Sequence, residues 1–275
     1  MSFNGLRVLS LESRRAAEIE RLILHHLGRP FVAPSMREVP LEDNAPAFEF
    51  AEALFRGEFE MIIFLTGVGA RILKDALAIR YPPERLFAAL RAMAVMVRGP
   101  KPFAVMREWE VPVAVKVPEP NTWREVLRAI ENRSEQRIAV QEYGRPALEL
   151  VEALKSRGSE VTCVPVYQWD LPQNCEPLRE AVRRLAADEF DVALFTTSVQ
   201  IDHLLRVARE MELDQAVMKG LSRLVIASVG PTTTEALATH GLNADLEPSH
   251  PKMGFLVDEA AANSAAILGA KRTNR

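Results

Sequence analysis

Cysteine is nearly absent from this chain of 275 residues: Cys163 and Cys175 are the only two. Neither lies near a histidine in sequence, so a thiol nucleophile has no support. They read as free thiols of a reduced compartment rather than as a disulfide or metal pair. Long apolar runs are missing as well, and none approaches the ~20 residues needed to span a bilayer. Met1–Gly5 leads directly into a short strand, so no export signal is expected and the expected location is the cytoplasm, away from any membrane. Charge of one sign is not in excess, since 34 Lys and Arg stand against 37 Asp and Glu, a formal net charge of −3. Without a global basic field, nucleic acid and anionic lipid are not expected partners, and any anion site has to be local. The histidines have no metal-ligand spacing, so no metal is expected. Both phosphate fingerprints are incomplete: the G-x-G-x-x-G string beginning at Gly67 fails at Ile72, and no Gly-Lys-Ser/Thr loop occurs.

What is present is one event repeated. An apolar strand ends in small polar residues and glycine, and a helix begins. It occurs at Phe64-Leu65-Thr66-Gly67-Val68-Gly69, at Phe195-Thr196-Thr197-Ser198, and at Ala227-Ser228-Val229-Gly230-Pro231-Thr232-Thr233. Val97-Arg98-Gly99-Pro100-Lys101 and Gln141-Glu142-Tyr143-Gly144 are looser versions. Such junctions aim backbone N–H groups and the positive end of a helix dipole at the mouth of a parallel sheet. Several of them suggest a ligand with several negative groups.

Strands alternating with helices predict an α/β fold of open parallel sheets. The length allows two domains, and there are too many strands for one compact sheet. Extended segments near 31–41 and 161–171 are placed to cross between two lobes and to pair as a two-stranded antiparallel linker. The first lobe is then discontinuous, residues 1–36 with 172–275, and the second is 37–171. Locally, Ser13 is expected to cap a helix over 14–27, and Thr122-Trp123-Arg124-Glu125 reads as a capping box. Val111–Val115 and Asn243–Leu246 read as short strands, Met253–Leu268 as the last helix, and Ala270–Arg275 as a frayed tail.

Each candidate has a plain alternative. Thr66–Gly69 serves equally as a tight strand-to-helix turn. At Gly230–Thr233 a simple N-cap needs one hydroxyl, and the run Thr232-Thr233-Thr234 exceeds that. Tyr167, in the second crossing, either faces a cleft between lobes and donates a proton to a leaving group or is a half-buried hinge aromatic. Arg98 and Lys101 either pair with carboxylates or are ordinary surface cations. Lys252, before the last helix, is placed like them.

In order and spacing these residues resemble the uroporphyrinogen-III synthase family over nearly the whole chain. The likeness runs through Leu65–Gly69, Arg98–Lys101, the helix end at Leu154–Gly158, Val166-Tyr167, Phe195–Ser198, Val229–Thr233 and His250–Gly254. The resemblance implies two α/β lobes joined by a two-stranded ladder. It implies a lyase acting on hydroxymethylbilane, a linear tetrapyrrole with eight carboxylates, with loss of water and inversion of the terminal ring through a spiro intermediate. It implies no cofactor and no metal, with a monomer as the expected state. It makes Tyr167 the candidate to assist departure of the hydroxyl, with the turns and the cations Arg98, Lys101 and Lys252 holding carboxylates. Pro102 stands where many members have a hydroxyl residue, and the Thr66–Gly69 turn has fewer hydroxyls than the commoner form. A hinged two-lobe module that binds an anionic small molecule without turnover is the alternative; an enzyme handling nucleotides or sugar phosphates is disfavoured by the incomplete fingerprints.

Overall fold

Met61–Phe64, Val192–Phe195 and Val225–Ser228 are buried at every position, as central strands of parallel sheets must be when helices cover both faces. The computed structural model describes residues 1–273, and they fall into two units. A discontinuous unit comprises Met1–Arg37 and the chain from Asp170 onward, and a middle unit is Glu38–Trp169. The discontinuous unit begins with β1 (Arg7–Ser10), α1 (Ala16–His25) and β2 (Arg29–Val32). The chain continues as β3 (Arg37–Pro40), α2 (Ala45–Phe55), β4 (Met61–Phe64), α3 (Gly67–Leu77), α4 (Pro83–Arg91) and β5 (Ala94–Val97). Next come α5 (Pro100–Glu108), β6 (Val115–Lys116), α6 (Trp123–Ala129), β7 (Arg137–Gln141), α7 (Leu148–Ser156), β8 (Glu160–Val164) and β9 (Tyr167–Asp170). It ends with α8 (Glu176–Ala186), β10 (Val192–Phe195), α9 (Val199–Glu210), α10 (Asp214–Leu221), β11 (Val225–Ser228), α11 (Pro231–Thr239) and α12 (Met253–Thr273).

The discontinuous unit holds a parallel sheet in the order β11-β10-β1-β2, and the middle unit one in the order β6-β5-β4-β7-β8. Strands β3 and β9 pair as a small antiparallel sheet. This is the expected α/β class. Alternation along each strand divides its side chains between two cores. Ile62 and Phe64 enter one cluster and Met61 and Ile63 the other. Ala193 and Phe195 part from Val192 and Leu194 in the same way. None of the described helices is long and apolar enough to cross a membrane.

Several local expectations are corrected. The segments 31–41 and 161–171 are each two strands. Phe31 and Val32 join the sheet beside Leu9 and Ser10, and Val161–Val164 join it beside Ile138–Gln141. The intervening Pro34 and Pro165 cannot donate to a ladder, so only β3 and β9 form the two-stranded sheet. Ser13 does not cap α1. Its Oγ accepts the amides of Ser35 (3.1 Å) and Met36 (3.0 Å), while Glu12 accepts the Arg15 amide at 3.0 Å. Residues 243–246 make only a single bridge, Leu246 to Ala227. At 111–115 only Val115 is in a strand, one that continues to Lys116. The Thr122 capping box forms as expected.

Helix α12 extends to Thr273 because its last turn is anchored: Lys271 Nζ donates to Asp245 at 2.6 Å and Arg272 to Asp191 at 3.1 Å. Of the expected frayed tail, residues 274–275 lie outside the described residues. Asp191 also takes the Arg7 amide (2.9 Å) and its guanidinium (3.0 Å). Burial alone would raise this carboxyl; the Arg7 bonds and the charges of Arg7 and Arg272 more than offset it, leaving it below its ordinary value. A lowered folded value contributes stability that is fully present above the unfolded value, near 3.9, and is lost as pH falls through the folded one. Asp191→Ala is therefore expected to cost about 1.5–3 kcal/mol at pH 7 and to shrink the loss of stability below pH 4. Thermal melts of both chains at pH 7 and pH 3 check this; unchanged melts with an unchanged acid response would contradict it.

Candidate functional site

In the middle unit the sheet delivers three strand ends to one edge, because Phe64 lies in register with both Val97 and Gln141. After β4, Thr66 adopts extended backbone and caps α3, accepting the Gly69 amide at 3.0 Å. Among the described residues the amides of Gly67 and Val68 meet no acceptor, the usual condition of a helix start that receives anions. A Cβ at Gly67 would lie 2.9 Å from the Lys101 carbonyl oxygen, so the Thr66–Gly69 turn abuts the Gly99–Lys101 turn. Gly99 caps α5, but Pro100 and Pro102 have no N–H. The second turn is thus poorer in amides than its glycine suggests, and Lys101 stands exposed beside it.

Its cation compensates. Among the described residues no carboxylate pairs with Arg98. Its guanidinium lies over the Tyr143 ring, 4.9 Å from the centroid. Burial pushes this guanidinium below its ordinary range; Tyr143 and Tyr167 oppose that shift and Arg145 adds to it. An arginine does not lose its proton under such shifts, so the site holds an uncompensated, desolvated cation, whose cost falls when a carboxylate arrives. Tyr143 also accepts from Arg145 Nε at 3.3 Å and packs edge-on against Trp169. Gly144 has φ +85°, and a Cβ there would sit 2.8 Å from the Trp169 ring, so only glycine allows this closure. Tyr167 is buried, with its hydroxyl 3.3 Å from Thr66 Oγ1. The middle unit therefore brings Thr66, Arg98 and Tyr167 together.

Gln141 was not read from the sequence as functional. It is fully buried at the end of β7, accepts the Thr66 amide at 3.3 Å and donates to the Glu142 carbonyl. Its amide fills the space a Cβ on Gly69 would need, only 1.9 Å away. Gly69→Ala is expected to cost about 1–3 kcal/mol by overpacking and to lower activity by displacing Thr66. Adding Gln141→Ala is expected to restore part of the stability, a non-additivity that thermal melts of the two single variants and the double variant would read. Strict additivity would contradict the contact.

In the discontinuous unit the turns are differently supplied. Gln200 Oε1 accepts the amides of Thr196 (2.7 Å) and Thr197 (3.3 Å), and its Nε2 donates to Thr196 Oγ1 at 2.9 Å. The Thr196 hydroxyl donates to Glu12. Two amides and one hydroxyl expected to face a ligand are thus already bonded; Ser198, buried, begins α9. Gln200 was not read from the sequence as functional, although Thr197-Ser198-Val199-Gln200 has the spacing of a capping box. Gly230 and Pro231 begin α11, and Thr233 is buried with its amide returned to Gly230. The Thr232 amide meets no acceptor among the described residues. Thr234 joins Ser228 at 2.5 Å and Glu247 at 2.6 Å. A Cβ at Gly230 would lie 3.1 Å from Pro251, which sets the exposed Lys252 close to this turn.

A sequence profile described as uroporphyrinogen-III synthase HemD matches residues 17–258. The uncharacterized protein YjjA of Bacillus subtilis is 28% identical over 263 residues, covering 94% of this chain and 95% of that protein. A mutant uroporphyrinogen III synthase from the extremely thermophilic bacterium Thermus thermophilus superposes with a TM-score of 0.71 at 22% identity, over 96% of this chain and all of that one. Uroporphyrinogen-III synthetase from Helicobacter pylori gives 0.53 at 13% identity, over 94% of this chain and 99% of that one. At these identities the solved structures speak for the fold, and the profile match carries the assignment. The chain belongs to the uroporphyrinogen-III synthase family.

Proposed function

We propose that this protein is a uroporphyrinogen-III synthase, a lyase that cyclises hydroxymethylbilane. The observation that carries the reading is the grouping in the middle unit. A buried phenol, Tyr167, lies beside the hydroxyl that caps α3, within the influence of a desolvated guanidinium that has no carboxylate partner among the described residues. Arg98 and the amides of Gly67 and Val68 hold substrate carboxylates, with Gly69, Gly99, Lys101, Tyr143 and Gly144 shaping the same edge. In the discontinuous unit Ser198, Gly230, Pro231, Thr232, Thr233 and Lys252 are the corresponding candidates.

The Tyr167 phenol gives its proton to the departing hydroxyl, which leaves as water. The resulting conjugated cation is attacked by the far ring at its substituted position, giving the spiro intermediate. Fragmentation and reclosure invert that ring, and the proton lost as the ring regains aromaticity returns to the phenolate. Substrate and product differ by one water, so no oxidant or reductant enters the balance. Most of the acceleration is positioning, with helix dipoles stabilising charge. The protein acts as a cytoplasmic monomer in this reading.

The second reading, a module that binds an anionic small molecule without turnover, is supported by Arg98 and the amides of Gly67 and Val68, which would hold an anion with no chemistry following. The two part on substrate depletion. A synthase consumes freshly generated hydroxymethylbilane faster than it cyclises spontaneously, in proportion to added protein. A module raises its own melting temperature with the tetrapyrrole and leaves the rate of disappearance unchanged.

A further inference from the structure

We propose that Arg145 acts with Arg98 as a two-cation clamp, which grips one pyrrole ring by two neighbouring carboxylate arms. The inference rests on the synthase reading, whose substrate carries eight carboxylates on four rings. Both arginines belong to the middle unit. Arg98 follows β5 and Arg145 follows β7, and each of these strands pairs with β4. Both cations therefore stand at the carboxyl end of one parallel sheet, where open α/β sheets take their ligands. Their guanidinium carbons lie 4.9 and 5.6 Å from the centre of the same Tyr143 ring.

Among the described residues no carboxylate pairs with either arginine. Two like charges are thus held against one ring with no counter-charge beside them. Burial first, and the charge of Arg145 in the same direction, hold the Arg98 guanidinium below its ordinary range, while Tyr143 and Tyr167 oppose this. One carboxylate would leave a positive charge over, and two satisfy both cations. The Tyr143 hydroxyl adds direction. It accepts from Arg145 Nε at 3.3 Å, and its own proton meets no acceptor among the described residues. That proton, and the terminal N–H groups of Arg145, are left for a ligand. The loop that carries Arg145 is fixed in advance. Glu142, buried, reaches across five residues to accept the Ala147 amide at 3.1 Å. The Trp169 amide donates to the Gly144 carbonyl at 3.4 Å, and the Trp169 ring closes on Gly144. A loop held this way lowers the ordering cost of binding.

The test joins steady-state kinetics to a binding measurement that needs no turnover. Wild type, Arg145→Gln and Arg145→Lys of the full chain are assayed with freshly generated hydroxymethylbilane. Each is also melted alone and with two probes: a monopyrrole bearing carboxylate arms on neighbouring carbons, and the same ring with one arm replaced by methyl. Arg145→Gln is expected to raise KM on the order of 10-fold with kcat within about threefold, and to leave ligand-free melting unchanged or higher. The two-armed probe is expected to raise the melting temperature of wild type more than the one-armed probe does, and Arg145→Gln is expected to lose this preference. Arg145→Lys is expected to recover part of KM, because the charge remains without the planar fork. Should Arg145→Gln not fold, Arg145→Lys is read in its place, with a several-fold rise in KM expected. An active wild type beside a folded Arg145→Gln with unchanged KM and unchanged probe preference overturns the clamp alone. So does a fall in kcat at constant KM, which would make Arg145 a residue of the chemistry or of the loop. A wild type without turnover that still prefers the two-armed probe, with the preference lost in Arg145→Gln, overturns the synthase reading and supports the clamp. Neither turnover nor preference in wild type overturns both.

Discussion

Tyr167→Phe is expected to lower kcat by roughly 10²- to 10³-fold while leaving the melting temperature within a few degrees. The substitution removes one oxygen from a ring that is already buried in an apolar cluster with Val164 and Val166. Packing is kept, and the hydroxyl 3.3 Å from Thr66 Oγ1 is lost. Thr66 keeps the Gly69 amide as a partner, so the turn itself is expected to persist. Activity does not fall to zero, because substrate positioning by the turns survives the loss of a proton donor. KM is expected to change little, since the phenol acts on the leaving group and not on a carboxylate. Turnover equal to wild type in Tyr167→Phe would remove the phenol from the chemistry.

Arg98→Gln is expected to move binding and stability in opposite directions. The guanidinium is desolvated and has no carboxylate partner among the described residues, so the ligand-free protein bears the burial cost without an ion pair to offset it. Replacing it with a neutral amide is expected to leave the melting temperature unchanged or higher. A carboxylate that would form charge-assisted bonds to Arg98 is worth about 1.5–3 kcal/mol, or roughly a 10- to 100-fold rise in KM. Arg98→Lys is expected to recover only part, because an ammonium lacks the planar fork and stacks less well over Tyr143. Steady-state kinetics and thermal melts on the same preparations decide the matter. A destabilised variant with unchanged KM would make Arg98 a structural residue.

The parts of the fold that were legible are those where one local rule decides. Strands such as Met61–Phe64 are uniformly apolar because both faces are covered. Thr122 and Glu125 lie three apart and close a capping box. Helix α10 is not announced by its sequence, because Asp214–Leu221 is a short amphipathic segment between longer elements and its place is set by packing on α8 and α9. Ser13 was misread because a serine before a helical pattern caps the helix only when nothing else claims it; the amides of Ser35 and Met36, more than 20 residues away, do.

The same division applies to the candidate site. The glycine- and threonine-rich turns announce themselves by composition. Gln141, Trp169 and Glu12 do not, because their roles come from what a distant strand brings beside them. Gln141 is significant only because β7 lies next to β4 and Gly69 leaves room for its amide. Glu12 meets the Thr196 hydroxyl only because β1 lies next to β10. Pro100 and Pro102 were visible, yet their consequence, a turn with few amides that relies on Arg98, needed the helix boundary to be known.

The most direct measurement is the isomer composition of the product. Hydroxymethylbilane generated in place is mixed with increasing amounts of this protein, the products are oxidised, and the porphyrin isomers are separated by chromatography. Isomer III rising in proportion to protein, at the expense of the spontaneous isomer I, is the predicted result, because only ring inversion yields it. Isomer I alone, with an authentic synthase producing isomer III under the same conditions, would contradict it.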